Sequence, residues 1–111
     1  MEQIKSTAKV QTTLKVFGTS VLFIEYCADN SALNKNVVKV CVSDNELGIA
    51  AEYAWIKNKY PDYKLLKQSI SVISLDGNIV NSDLLEIITK GVTVKVYFDI
   101  SQFFETNLCS L

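Results

Sequence analysis

From residue 9 to residue 16 the chain alternates. Val10, Thr12, Leu14 and Val16 share one side, and Lys9, Gln11, Thr13 and Lys15 share the other. A period of two rich in β-branched residues predicts a half-buried strand. The stretch FGTS at 17–20 breaks the run, and VLFIEYC at 21–27 predicts a second strand, close enough to pair with the first as a hairpin. A polar loop is expected over 28–36. A third strand follows at 37–42, with Val38, Val40 and Val42 on one face.

The period then changes. Ser43 is a suitable N-cap with Glu46 three residues on, which reads as a capping box. Asp44 and Glu46 suit the positive end of a helix, and Lys57 and Lys59 the negative end. Pro61 stops the helix and disfavours helical geometry at Tyr60. The predicted helix covers 44–59.

Beyond it, 64–75 reads as extended, with Ile70 and Val72 on one face and Ile73 and Leu75 on the other. Asp76-Gly77 predicts a tight hairpin turn. Residues 79–89 admit a short capped helix after Ser82, but LLEIIT between two turn signals suits a strand better. Lys90-Gly91 turns the chain again. In VTVKVYFDI, Val92, Val94, Val96, Phe98 and Ile100 are expected inward, with Thr93, Lys95, Tyr97 and Asp99 outward. The last residues, 101–111, are expected to cover one end of the sheet with Phe103, Phe104 and Leu108.

Strand runs on both sides of one helix indicate an α+β fold: an antiparallel sheet of about five to six strands with one long helix on one face, in the order β-β-β-α-β-β-β. Residues 1–111 are expected to form one domain.

The helix carries two apolar lines. Ile49, Tyr53, Ile56 and Tyr60 form one; Leu47, Ala51, Ala54 and Asn58 form the other, roughly opposite, with Ala50 and Trp55 beside it. Glu52, Lys59 and Asn45 occupy one gap between them. The line of large residues is expected to face the sheet. The line of small residues is then either covered by loops or left as a close-approach contact surface rimmed by Trp55. On the outer sheet face, Lys9, Lys15, Glu25, Lys39, Lys95, Tyr97 and Asp99 are expected, with Val21, Phe23, Val37, Ile73 and Leu75 mixed among them, a pattern suiting solvent or a protein partner.

Composition narrows the chemistry. The chain has a net charge of −1, its basic residues are all Lys, and it contains neither Arg nor His. That removes planar bidentate recognition of phosphate and guanine, the commonest general base and the commonest metal ligand. Lys57, Lys59, Lys64 and Lys67 interleave with Tyr53, Trp55, Tyr60 and Tyr63, which could hold single-stranded nucleic acid. The helix dipole and the core explain most of those residues, so nucleic acid is disfavoured as a partner. Three cysteines without C-x-x-C spacing and no apolar leader favour reduced, buried thiols in a cytoplasmic protein. No run is long and apolar enough to span a bilayer. Glu25 within an apolar strand is read as surface-facing and paired with a lysine such as Lys39. Lys-only basic usage hints at a microbial, AT-rich source. There is no phosphate loop, nucleophile elbow, metal cluster or cofactor motif.

The expectation is therefore a non-enzymatic protein–protein contact module of the adaptor, inhibitor or immunity type, self-associating as a homodimer or binding another protein. Its contact residues are expected at Leu47, Ala51, Ala54, Trp55 and Asn58 on the helix and Tyr97 on the sheet. The alternative is a small-molecule binder with an apolar cleft between helix and sheet, lined by Tyr53, Tyr60, Phe98 and Phe104.

Overall fold

The computed structural model describes residues 2–28 and 35–103; Phe104, Leu108 and Cys109, and most of the expected 28–36 loop, lie outside them. Three two-residue turns organise the strands. Phe17-Gly18, Asp76-Gly77 and Lys90-Gly91 all have positive φ at both positions, the geometry that matches the twist of a hairpin. They join β2 (Ser6–Val16) to β3 (Thr19–Ala28), β5 (Lys64–Leu75) to β6 (Asn78–Thr89), and β6 to β7 (Val92–Asp99). A short β1 (Glu2–Ile4), a central β4 (Lys35–Cys41) and the helix α1 (Asn45–Lys59) complete the set. Residues 79–89 are strand throughout.

The sheet is mixed and larger than the alternation predicts. Seven strands lie in the order β1-β5-β6-β7-β4-β3-β2. Pairs β1–β5 and β4–β7 are parallel, and the others antiparallel. The parallel centre follows from the helix. A strand–helix–strand crossover returns the chain in its original direction, so β5 runs with β4, and two further hairpins bring β7 alongside β4 in the same sense. The expectation of an all-antiparallel sheet counted the hairpins and ignored the crossover. The three residues of β1 are too few to show a period in the sequence.

The two outermost strands are consecutive in sequence. Only Lys5 separates β1 on one edge from β2 on the other, so the sheet must curl until its edges meet at this corner. Asp76 in the β5–β6 turn fastens it: Oδ1 accepts the Ser6 backbone N–H at 2.8 Å, and Oδ2 accepts the Ser6 hydroxyl at 2.6 Å. The Asp76 N–H donates to the Ile4 carbonyl at 2.9 Å.

Curling gives the sheet two buried faces. On the helix side, Val21, Phe23, Val38, Val40, Leu85, Ile87, Val94, Val96 and Phe98 pack with Ala51, Trp55, Ile56 and Phe103. On the far side, Ile4, Val37, Ile73, Leu75, Val80 and Tyr97 form a second cluster with Tyr26 and Leu84 against it. Tyr97 is thus a core residue at 3% exposure, not an outward one. Val21 and Phe23 belong to the helix side and not to an outer face. Glu25 pairs opposite Val38 and reaches Lys59 at 2.6 Å; Lys39, its expected partner, lies on the other face.

A candidate interaction site

The helix meets the sheet with neither of its two apolar lines centred on it. Its buried residues are Gly48, Ala51, Glu52, Trp55 and Ile56, spaced three and four apart on a stripe that runs between the lines. Ile49, expected in the core, is 41% exposed. The two lines become flanks. Leu47 and Ala54 are half-buried and touch the helix-side core, while Tyr53 leans towards β5. The cap also shifts by one residue, with the Asp44 carboxylate accepting the Leu47 N–H at 2.8 Å in place of Ser43.

The expected contact residues do not form a surface. Ala51 is fully buried and Trp55 is 4% exposed. Trp55 meets Phe98 edge-on at 5.7 Å between ring centres and Tyr60 at 6.4 Å. Tyr97 lies on the opposite side of the sheet. Of the six, only Asn58 is fully at the surface. A small-residue line lets the helix approach its own sheet closely, which is the physical reason Ala51 is spent inside. Among the lysines and aromatics of 53–67, Trp55 is buried while Lys57, Lys64 and Lys67 are exposed. Lys59 is held by Glu25 and by Asn36 Oδ1 at 3.1 Å, with its Nζ 5.0 Å from the Trp55 ring. The cysteine expectation also changes, since Cys27 is exposed and Cys41 half-buried, both free.

Glu52 is the unexpected member of the buried stripe. No part of it reaches solvent, and no N–H or hydroxyl bonds its oxygens. Burial first, then hydrogen bonding to Asp83 and the charge of Asp83, push its carboxyl up to about 10. Glu52 is therefore protonated and donates to Asp83, whose Oδ1 has no other partner. Asp83 Oδ2 accepts from Gln68 Nε2 at 3.0 Å, and Gln68 Oε1 accepts from the Tyr53 hydroxyl at 2.6 Å. This chain ties the helix to β6 and to the edge strand β5. Two adjoining carboxyls, one of them protonated, resemble acid–base machinery, but here they are sealed under the helix.

The edges of the sheet differ in a way that bears on function. β2 presents Lys9 and Lys15 and carries a bulge between Ser6 and Ala8. Lysines and bulges blunt an edge against further pairing. On β5, β1 covers only Ile73–Leu75, and a bulge lies between Leu65 and Lys67. Among the described residues no strand pairs with the outer edge of β5 between these bounds. From Gln68 to Val72 it carries no charge. Leu66, Ile70 and Val72 are exposed there, Ile70 at 61%, and Ile79 on the same face is exposed at 66%. In sequence, LLKQSISVISL shows apolar residues on both faces, but its place near the edge of the sheet comes only from the strand order.

A depression of 410 Å³ opens where the helix ends against the β6–β7 turn. Lys59, Tyr60, Pro61, Asp62, Thr89 and Lys90 rim it over Val92 and Val94. The Thr89 hydroxyl donates to Asp62 at 2.5 Å. Of the expected cleft residues that are described, Tyr60 lines it and Tyr53 does not, and Phe98 is fully buried. No group of three or more metal-ligating side chains occurs among the described residues, and no helix among them is long and apolar enough to cross a membrane.

Among the described residues these features define a class: a curled, mixed, seven-stranded sheet with one long helix packed on one face. Comparison with protein-family models, curated proteins and solved structures returns no match.

Proposed function

We propose that this protein is a non-enzymatic protein-contact module, of the adaptor or inhibitor kind, that binds by adding a partner's strand to the outer edge of β5. The observation that carries this reading is the contrast between edges. β2 exposes Val10 alone of its large apolar residues, between Lys9 and Lys15, whereas β5 exposes Leu65, Leu66, Ile70 and Val72, and among the described residues no strand pairs with its outer edge from 68 to 72. Strand addition draws affinity from main-chain hydrogen bonds and specificity from alternate side chains, and this window offers both. The lack of Arg and His, and the burial of the Glu52–Asp83 pair, favour contact over catalysis.

A photo-reactive residue in place of Ile70, compared with one in place of Val10 on β2, tests the reading in an extract of the source cells. Polypeptide adducts, to itself or to another protein, are expected from position 70 and not from position 10. No polypeptide adduct at position 70 overturns it. The second reading, small-molecule binding, rests on the depression beside Tyr60, and the corresponding result is a ligand retained by the wild type and lost in Val92→Lys.

A further inference from the structure

We infer that the strand added to β5 is β5 of a second copy, paired antiparallel about a two-fold axis at Ser69. This rests on the proposed edge docking and names its partner. The open window is bounded at one end by the bulge between Leu65 and Lys67 and at the other by β1, which begins pairing at Ile73. An antiparallel copy of the same window fits those bounds. With Ser69 opposite Ser69, Lys67 stands across from Ser71 and Gln68 across from Ile70, and Val72 meets the start of the partner's bulge. The bulge of each copy then lies beside the start of β1 in the other.

Charge agrees with this register. Like charges directly opposite one another destabilise a strand pair, and here no lysine faces a lysine. Lys67 already stands opposite Glu86 on β6 of its own chain. A net charge of −1 leaves little repulsion between copies. The apolar residues agree as well. Ile70 and Val72 lie on the helix side, as shown by their pairing with Asp83 and Asn81. A two-fold axis perpendicular to the sheet brings both copies' Ile70 and Val72 onto one continuous face between the two helices.

The protected edge completes the argument. An isologous contact uses the same patch on both subunits and closes on itself. If both edges were adhesive, copies would add without end. β2 exposes only Val10 among its large apolar side chains, against four on β5, so β5 pairs with β5 and assembly stops at two.

The test uses the full chain. Mass measured in solution at micromolar concentration is expected at twice 12.4 kDa, falling to the monomer value in Ile70→Lys with an unchanged circular dichroism spectrum. The register is read with Ser69→Cys, in a chain whose Cys27 and Cys109 are Ser. Opposed positions on paired strands lie about 5 Å apart at Cβ, so oxidation is expected to crosslink Ser69→Cys rapidly and Lys67→Cys slowly. A dimer that crosslinks equally at both positions overturns the register. A monomeric wild type overturns self-pairing. If that monomer still gives adducts to another polypeptide from position 70, edge docking survives with a different partner; with no adduct either, both readings fall.

Discussion

The Glu52 carboxyl, fully buried on the helix, keeps its proton and donates a hydrogen bond to Asp83 on β6. Through Gln68 and Tyr53 the same link reaches β5. A charged residue type has been placed at the centre of a helix–sheet contact, where an unpaired charge is costly and a shared proton is the available escape. The helix is thereby held in register over β6 and the neighbouring β5.

That arrangement makes stability pH-dependent with a definite sign. The folded carboxyl is raised from its ordinary value near 4.5 to about 10. Between those limits the unfolded chain has released the proton while the folded chain keeps it, so stability falls as pH rises. The slope is up to about 1.4 kcal/mol per pH unit. Glu52→Gln keeps a donor for Asp83 and cannot ionise. It is expected to raise stability at pH 7 by on the order of 2 kcal/mol and to flatten the slope between pH 5 and pH 9. Urea unfolding across that range checks it; an unchanged slope would sink the shared-proton account.

Gly48 and Phe103 make a second sensitive contact. A Cβ at Gly48 would sit 2.7 Å from two carbons of the Phe103 ring, and that ring is 3% exposed. Ala is better than Gly inside a helix by about 1 kcal/mol, but overpacking costs about 1–3 kcal/mol. Gly48→Ala is expected to destabilise the wild type and to stabilise a Phe103→Ala chain. A double-mutant cycle shows the change of sign. The same sign in both backgrounds would rule out the clash.

The sequence and the structure part company where a local pattern meets a tertiary demand. The hairpins were legible because Asp76-Gly77 and Lys90-Gly91 specify their own geometry, and β7 was legible because its alternation is strict. Helix limits came from charge at its ends and from Pro61. Orientation did not follow. The two apolar lines pointed either side of Glu52, and a Glu reads as solvated unless its proton and its partner Asp83, thirty-one positions away, are known. Tyr97 was read as outward because alternation assigns a strand only one buried face, whereas curling buries two. The open edge of β5 was hidden for a related reason: Ile70 and Val72 were visible as a face, but strand order decides whether that face is covered.

Closure of the sheet is predicted to depend on Asp76. Hydrogen bonds from the Ser6 side chain, and then from its backbone, hold this carboxyl below its ordinary value. The bonds therefore stabilise the folded chain above the unfolded pKa, and the contribution is lost as pH falls through the depressed folded value. Asp76→Ala removes both bonds at any pH. Faster hydrogen exchange is expected at Ser6 and along β1, with β6 and β7 unchanged. Uniform acceleration across the sheet would mean that Asp76 supports the whole fold and not the corner alone.

The helix and the edge strand can be told apart by the failures they cause. Trp55 is buried against Phe98, and replacing a buried Trp by a small residue costs about 3–5 kcal/mol. Trp55→Asp adds an unpaired charge to that loss, so it is expected to unfold the monomer rather than release a partner. Ile70→Lys alters a side chain already open to solvent, where substitutions change stability by about 0.5 kcal/mol or less. It is expected to leave the unfolding midpoint nearly unchanged and to abolish association. Thermal unfolding and solution mass, measured on the same two variants, separate the cases. A folded Trp55→Asp monomer would return the contact surface to the helix, and an Ile70→Lys chain that still associates would remove it from β5.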